Sequence, residues 1–498
     1  MNAAALISLA LLQASSGNLD ADTAAWWRLT GELSNDAMEG RDTGSPGYDR
    51  AASIVARRLA AAGLKPIGDD GGWFQRMQLD ELQVTRAVID VGPTRLRFLH
   101  DITAVPSTVP GSLDLPVGYR GYCSPDVLGD VRGKLVICHG TRRPGLPGAA
   151  ERMDALVAAG ARAAVTISDP GFTVEPPRWP FAYARDVWLT GSPPSPPKIP
   201  SFTLNASALA SMIAGSGRQA TALVRSGSAG QPLPSFDAPR RFRGRFTLGR
   251  RHLASANVLG LLPGTDPALS AQPIVLTAHL DGYGYGAPVR GDGLYNGTLD
   301  DAAYVALLIR VVERRQGKGF RRPVVIAAVT GEEKGLLGSR WLVRHPPAGV
   351  APFVGNINLD QLRPIFPLKL LTVHGLNDSS LGDDARAVAK SLGIAVQLDP
   401  EPQRNLLQRS DHWNFMQSGV PAVNFVFGYQ PGTGSERVYR QWYQQGYHRP
   451  QDDLKQRIDW QAAKDFNTFF YTLVSRVADQ ERPPQWRPQS PLRLGRKQ

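Results

Sequence analysis

The chain has 498 residues, enough for two to four domains of ordinary size and for a sizeable buried core. Hydrophobic residues make up 42% and charged residues 20%, and 51 glycines and 40 prolines stay below the share typical of low-complexity sequences, which excludes a chain disordered throughout. The net charge of +12 favours acidic surfaces as weak partners, but no lysine-rich block or interleaved row of aromatic residues accompanies it, so nucleic-acid binding is not expected.

The first 16 residues have the pattern of a signal peptide. Residues 3–12 form an apolar run, and small residues at 14–16 suit a signal-peptidase site. No lysine or arginine precedes Arg28, so the usual positive start is missing and a buried N-terminal helix is the alternative. We expect residues 1–16 to be a signal peptide and the protein to be periplasmic or secreted. No other apolar run approaches the roughly 20 residues that cross a bilayer, so no stable membrane insertion is expected.

Residues 20–94 are predicted to form the N-terminal part of a large domain. From Leu29 to about Leu79 the apolar residues recur at helical spacing, with Gly63 as a stop signal. This segment is expected to dock on the rest of the domain and to carry no chemistry.

The sequence pattern changes at residues 95–235, which are predicted to form a small domain of their own. Short β-like runs at 134–138 and 163–167 flank an alanine-rich helical stretch. Nine prolines fall between residues 170 and 200, too many for a helix or a central strand, which predicts an extended surface loop there.

The chain contains two cysteines, Cys123 and Cys138, too few for a disulfide scaffold or a thiolate metal cluster. Their separation of 15 residues permits one disulfide bond. Two unpaired core cysteines explain the same count equally well.

Residues 236–480 alternate between strand and helix signals. The alternation predicts the α/β fold class, with a mostly parallel central sheet and helices on both faces. Strands are predicted at 273–278, 323–329, 353–359, 370–373 and 421–427, and helices at 302–316, 336–345, 383–392 and 460–480. The basic, proline-rich residues 481–498 are predicted to be a solvated tail.

Several predicted strands end in residues that bind metals. The carboxyl ends of the strands form the ligand crevice of an open α/β sheet, so such residues are expected to meet there. The candidate ligands are His279, Asp300, Glu333, Asp360 and, later in the chain, His448. A set of histidines and carboxylates without thiolates suits zinc or a similar divalent ion.

Charge counting indicates two ions. If Asp300, Glu333 and Asp360 are ionised and a hydroxide bridges the metals, four negative charges meet four positive ones and the buried site is neutral. The neighbouring carboxylates Glu332 and Glu333 fit the same arrangement, because one can bind metal while the other stays free as a general base.

Five motifs in this order resemble those of the M28 family of di-zinc aminopeptidases. They are His279-Leu280-Asp281, Tyr295-Asn296-Gly297-Thr298-Leu299-Asp300-Asp301-Ala302, Gly331-Glu332-Glu333-Lys334-Gly335-Leu336-Leu337-Gly338-Ser339, Asn358-Leu359-Asp360 and Tyr447-His448-Arg449-Pro450. Residues 38–45 also resemble the family's N-terminal segment, and 95–235 resemble an inserted protease-associated (PA) domain. The resemblance implies a zinc-dependent exopeptidase fold and a PA domain that contributes no catalytic residue.

The resemblance implies two Zn²⁺ ions with Asp300 as the bridging ligand. It assigns His279 and Asp360 to one ion, and Glu333 and His448 to the other. It also implies a cis peptide bond after Asp300.

The resemblance further implies two residues that act beside the ions. Glu332 would be the general base, and Asp281 would hold His279 in its tautomer. The implied reaction is hydrolysis of a peptide bond by a water between the metals, with Glu332 passing the proton to the leaving amine.

One residue departs from the family pattern, and the roles of two other groups of residues are considered from the sequence. Tyr304 stands where the family often has glycine, which bears on helix packing. The segment 410–412, Ser-Asp-His, resembles a family element, and its role is either structural or close to the substrate. Phe425, Phe427 and Tyr429 follow a strand near the site, and we expect them to be core residues.

The sequence favours an aminopeptidase acting on peptide substrates, with other reactions open on the same scaffold. The alternatives are a carboxypeptidase or dipeptidase of the glutamate-releasing type, a single-zinc glutaminyl cyclase, and a non-catalytic binding protein. The full ligand set argues against the last two. Four arginines, Arg363, Arg404, Arg409 and Arg449, keep a carboxylate clamp under consideration. The sequence does not indicate an oligomeric state.

Overall fold

The computed structural model describes residues 19–360 and 363–495. The predicted signal peptide at 1–16 lies outside them. The described chain divides into two compact units. The first unit comprises the described residues of Met1–Met77, Ser255–Gly284 and Leu294–Gln498, and the second comprises Gln78–Ala254 and Tyr285–Gly293.

The strands are short except for two that contain unit boundaries, β2 and β10. They are β1 Lys65–Pro66, β2 Phe74–Val91, β3 Thr94–Leu96, β4 Ile102–Ala104, β5 Ser112–Arg120, β6 Leu135–Gly140, β7 Ala163–Ser168, β8 Arg185–Leu189, β9 Ser201–Leu204, β10 Ser235–Leu262, β11 Ile274–His279, β12 Gly284–Val289, β13 Asp292–Tyr295, β14 Val324–Val329, β15 Gly355–Leu359, β16 Leu370–His374, β17 Ala395–Gln397 and β18 Ala422–Phe427.

Most of the α-helices belong to the first unit. They are α1 Ala21–Ser34, α2 Pro46–Ala61, α3 Ala149–Ala158, α4 Leu209–Met212, α5 Ala220–Ser228, α6 Ala303–Glu313, α7 Leu337–Arg344, α8 Ser380–Ser391, α9 His412–Gln417, α10 Gly434–Gln445 and α11 Trp460–Asp479. Within the described residues, no helix combines the length and the apolar character that crossing a membrane requires.

The first unit is built on a mostly parallel sheet with the strand order β17-β16-β18-β15-β11-β14-β10. Strands β18, β15, β11 and β14 run parallel to one another, whereas β10 and β16 pair antiparallel with their neighbours β14 and β18. Because the inner strands are covered on both sides, they read as continuous apolar runs.

Helices cover both faces of this sheet, as the alternation along β14 demonstrates. Val324, Ile326 and Ala328 point into a core shared with α1, α2, α6, α8 and α11. Their neighbours, Val325 and Ala327, point into a second core shared with α7 and α9. The predicted fold class of the first unit is therefore confirmed.

The second unit contains its own parallel strands, β5, β6, β7 and β9, and its own apolar core. The predicted small domain at 95–235 lies within this unit. Cys123 and Cys138 form a disulfide bond there, with 5.5 Å between their Cα atoms. Of the two interpretations that the sequence left open, the disulfide is therefore the one found.

Three details of the sequence prediction were wrong. The helical signal ends at Ala61, and the chain becomes strand β2 from Phe74, because a glycine-rich turn separates the two. The loop predicted at 170–200 contains strand β8, which pairs with β2, because the stretch from 181 to 192 is free of proline. The tail is not solvated throughout, since Trp486 donates to the carbonyl oxygen of Gly419 and packs on the second core.

Candidate metal centre

Three adjacent parallel strands bring predicted ligands to one edge of the sheet. His279 is the last residue of β11, and Asp360 directly follows β15. Glu332 and Glu333 follow the end of β14 by three and four residues. Because β15, β11 and β14 are neighbours and point the same way, their carboxyl ends meet.

Asp300 reaches the same place from the turn that precedes α6. Gly297 begins this turn with φ +59°, and a Cβ there would lie 2.5 Å from the carbonyl oxygen of Asp300, so only glycine fits. The carboxylate of Asp452 accepts hydrogen bonds from the backbone N–H groups of Leu299 and Asp300, at 2.9 and 3.0 Å. The expected cis peptide bond joins Asp300 to Asp301.

The first group of ligand atoms forms around His279. Its Nε2 lies 3.2 Å from Oδ1 of Asp300 and 4.0 Å from Oδ1 of Asp360. All three side chains are buried. Their ligand atoms lie within 4.8 Å of one another, a spacing that one ion can fill.

A second group forms around His448 and shares Asp300 with the first. The Nε2 of His448 lies 3.3 Å from Oδ2 of Asp300 and 3.3 Å from Oε1 of Glu333. These atoms also lie within 4.8 Å of one another. The five predicted ligands therefore come together as two groups of three, with the two oxygens of Asp300 facing different histidines.

The donor set fits divalent cations. Three carboxylates, Asp300, Glu333 and Asp360, converge with two histidines, and oxygen and imidazole donors of this kind suit zinc or a similar divalent ion. Burial raises the pKa of Asp360 to about 6. Burial also raises the pKa of Asp300, but the close contacts of its carboxylate with His279 and His448 outweigh burial and hold that pKa well below its ordinary value.

Glu332 lies beside both groups. Its Oε2 is 4.0 Å from Nε2 of His279, and it also forms a possible ligand group with His279 and Glu333. Burial raises its pKa well above the ordinary value of a glutamate. A carboxyl group with a high proton affinity next to a candidate metal site is suited to accepting and returning a proton.

Asp281 contacts its neighbours in a different way from the one the resemblance implies. The Nδ1 of His279 donates to the backbone carbonyl of Asp281 at 3.0 Å, while the nearer carboxylate oxygen is 3.8 Å away. A carbonyl only accepts, so Nδ1 carries the proton and Nε2 is free to bind metal. The carboxylate instead accepts hydrogen bonds from the N–H of Glu332, at 3.1 Å, and the hydroxyl of Thr43, at 3.0 Å.

Two supporting residues were missed by the sequence reasoning. Arg41 is fully buried and donates to the carbonyl oxygens of Leu280, Asn296 and Gly297, which fixes the loops on either side of the site. Its only signal was its place in segment 38–45. Tyr283 places its hydroxyl 2.8 Å from Nδ1 of His448. Nothing in the sequence pattern pointed to this tyrosine.

The segment 410–412 is mostly structural. The hydroxyl of Ser410 accepts a hydrogen bond from Asn358 and lowers the pKa of Asp360, against the larger effect of burial. Asp411 accepts a hydrogen bond from Ser339. The ring of His412 is buried and stacks on another histidine, His374, outside the ligand groups.

The aromatic residues near the site belong to the core. Phe425, Phe427 and Tyr429 are all buried, as expected. Tyr304 is 1% exposed and contacts Phe466 edge-on, so the helix accommodates the larger side chain where the family often has glycine.

A cleft with a volume of about 850 Å³ opens beside the site within the first unit. Its walls include Glu332, Glu333, His448 and Tyr283, together with residues of α7 and α9. Candidate ligands and the candidate base therefore face a space large enough for a peptide.

Residues 257–474 match the model of peptidase family M28. All five predicted ligands, Asp281 and Glu332 lie within this range, and the resemblance seen in the motifs is thereby confirmed. No curated protein matches the sequence.

The fold is similar to those of solved aminopeptidases. One, an aminopeptidase from Aneurinibacillus sp. strain AM-1, has a TM-score of 0.62 at 16% identity, over 92% of this chain and 94% of that chain. Another, the zinc aminopeptidase BSAP from Bacillus subtilis, has a TM-score of 0.61 at 16% identity, over 93% of this chain and 97% of that chain. A peptidase M28 precursor from Shewanella amazonensis has a TM-score of 0.56 at 15% identity, over 97% and 98%. At these identities the likeness establishes the fold.

Proposed function

From the match to the M28 peptidases and the geometry of the candidate metal centre, we infer that this chain is a zinc metallopeptidase. We propose that it is an aminopeptidase that holds two zinc ions and uses Glu332 as its general base. The observation that carries the proposal is the pair of ligand groups that share Asp300, with Glu332 beside them.

Five residues would hold the ions. His279, Asp300 and Asp360 would bind one, and Asp300, Glu333 and His448 the other. The zinc ions would supply a bound water of lowered pKa and polarise the scissile carbonyl.

The chain's own groups would carry the proton. Glu332 accepts a proton from the attacking water and returns it to the nitrogen of the leaving amine, so that a neutral amine departs. The carboxylate of Asp281 accepts from the N–H of Glu332 and so helps to fix the backbone that carries the base. Asp281 is on this view a positioning residue for Glu332, while its carbonyl positions His279.

Two of the four arginines considered for a carboxylate clamp are buried within the fold. Arg363 and Arg404 are each 1% exposed, and Arg404 binds Glu401 within the fold. The guanidinium of Arg363 lies over the ring of Trp442, 4.2 Å from its centre. Both side chains pack inside the fold, so they are not available to bind a substrate carboxylate.

The second unit and the N-terminus complete the proposal. We keep the assignment of residues 95–235 as a PA domain without catalytic residues, since the predicted site residues belong to the first unit. Export by means of residues 1–16 remains a prediction.

The first experiment combines zinc analysis with hydrolysis of Leu-, Lys- and Glu-terminal chromogenic amides, with and without chelator. We expect about two zinc ions per chain and chelator-sensitive release that stops when the substrate N-terminus is acetylated. Cleavage of acetylated peptides at their C-terminus would overturn the aminopeptidase proposal. Zinc analysis that gives one ion or none would overturn the two-ion site.

The role of Glu332 is tested with Glu332→Gln and the matched control Glu481→Gln, which alters an exposed glutamate of the same unit. Glu332→Gln is expected to retain zinc and lose turnover by at least about a hundredfold, the low end of general acid–base contributions. The control is expected to behave as the wild type. Near-wild-type turnover of Glu332→Gln would disprove the assignment.

A further inference from the structure

One face of helix α7 forms a basic wall of the cleft. Arg340, Val343 and Arg344 all line the cleft, at spacings of three and four residues that put them on one side of the helix, and Leu336 lines it just before the helix begins. Arg340 and Arg344 are one helical turn apart, about 5.4 Å along the axis. The wall therefore presents two cations side by side to the space next to the metal centre.

Neither arginine has an acidic partner among the described residues. Nη2 of Arg340 donates to the carbonyl oxygen of Gly335 at 3.0 Å, which directs the side chain back toward the loop that carries Glu332. Arg344 is exposed at the end of α7 and repels Arg340, whose pKa is lowered by burial and by this neighbour. Two like charges without a counterion favour an anion between or beside them.

The rest of the cleft offers no competing carboxylate. Its lining contains a third arginine, Arg409, and the amide side chains of Gln408, Asn414 and Gln417. The carboxylates that line it are Glu332 and Glu333, which the proposed mechanism occupies as base and ligand. A negative group of the substrate would thus find its positive partners on the α7 face.

The substrate part that reaches α7 follows from the proposed function, on which this inference rests. An aminopeptidase holds a single residue before the scissile bond, so most of a cleft of about 850 Å³ receives the residues after it. An extended chain advances about 3.3–3.6 Å per residue, so two or three residues of the leaving peptide span the basic face.

We propose that Arg340 and Arg344 bind a carboxylate of the leaving peptide and make the enzyme selective for substrates that carry one there. The carboxylate comes either from an acidic side chain at the second or third residue or from the free C-terminus of a di- or tripeptide. Both sources present the same planar group, which an arginine guanidinium binds through paired hydrogen bonds.

Three comparisons between peptides separate the two sources. Leu-Ala-Ala with a free C-terminus is compared with its C-terminal amide, and Leu-Glu-Ala amide and Leu-Ala-Glu amide are each compared with their glutamine counterparts. We expect at least one carboxylate peptide to have a kcat/KM roughly fivefold to tenfold above its neutral partner, the size of one or two solvent-exposed ion pairs. The preference should shrink between 0.01 and 0.5 M salt, because screening shortens the range of exposed charges.

The arginines are tested as Arg340→Gln, Arg344→Gln and the double variant. The matched control is Arg57→Gln, an exposed helical arginine of the first unit that does not line the cleft. The ratio of kcat/KM between carboxylate and neutral peptides should fall toward one in the double variant, through KM, and stay as in the wild type in the control.

Each outcome bears on one proposal. Hydrolysis of the neutral amides without any carboxylate preference would overturn the basic-wall assignment and leave the aminopeptidase standing. A preference that survives the double variant would also overturn it. Failure to hydrolyse every peptide with a free N-terminus would instead overturn the proposed function.

Discussion

The first unit contains two pairs of histidines whose surroundings are opposite. His279 and His448 face carboxylates, and these carboxylates raise the pKa of each ring although burial lowers it. His374 and His412 stack with 5.9 Å between ring centres. Burial lowers the pKa of both, that of His374 to about 4.

The difference shows that the charged groups around a buried histidine decide what it does. His279 ends a parallel strand where other strand ends deliver acids, whereas His374 ends a strand that runs antiparallel to its neighbour β18. The nearest acid to His374 is Asp399, 3.9 Å away, and Arg404 adds a positive charge. The first pair is thus suited to binding cations, and the second pair to staying neutral in the core.

The largest expected effect comes from removing a member of the first pair. His279→Ala and His448→Ala should each lower zinc content and reduce kcat/KM by more than the roughly 10–100-fold that loss of an outer partner costs. Elemental analysis and peptide hydrolysis measure both. His252→Ala is the control, because that side chain is 90% exposed. Full zinc content in either ligand variant would remove that residue from the metal site.

The second pair predicts a loss of stability in acid. A histidine whose pKa is lowered to about 4 in the folded state and is about 6.5 in the unfolded state binds its proton preferentially when unfolded. Stability should therefore be intact above pH 6.5 and fall between pH 6.5 and 4, by roughly 3 kcal/mol for His374.

Denaturant unfolding at pH 7.5 and 4.5 checks this by comparing the wild type with His374→Gln, in which position 374 cannot titrate. The variant should lose less stability in acid than the wild type, while a control at the exposed His345, His345→Gln, should lose as much. An equal acid loss in all three proteins would mean that His374 is protonated in the folded state.

A smaller effect is expected from changing a residue that orients a histidine of the first pair. His279 is oriented by a backbone carbonyl, which no substitution removes, but His448 relies on the hydroxyl of Tyr283. Tyr283→Phe should weaken zinc binding or activity about 10–100-fold. Tyr285→Phe is the control, because Tyr285 is 65% exposed. Chelator competition measures the zinc affinity. An affinity of Tyr283→Phe equal to that of the control would contradict the prediction.

The sheet of the first unit was predictable because its signals are local. Strand β14 is an unbroken apolar run, β11 ends in the polar residue His279, and β15 is followed directly by Asp360. Strand β8 was missed because prolines on both sides masked a short stretch free of them. The pairing that makes it a strand comes from β2, about a hundred residues earlier.

The candidate site likewise has a part that local sequence signals predict and a part that they do not. The ligand positions follow from residue types at strand ends and from family-like motifs, both of which are local properties. The residues that support the site come from segments far apart in the chain. Arg41 donates a hydrogen bond to the carbonyl oxygen of Asn296, and the hydroxyl of Tyr283 contacts His448. Such contacts leave no periodic pattern in the sequence, so the sequence reasoning missed them.

The sequence by itself determined the α/β class of the first unit and named the candidate ligands and the candidate base, because apolar periodicity, polar residues after strands and family-like motifs are local features of a sequence. The tertiary structure decided which oxygen of Asp300 faces which histidine, that Asp281 supports Glu332 through its carboxylate, and that Arg363 is buried while Arg344 lines the cleft. These choices depend on distances between segments far apart in the chain, which packing alone fixes.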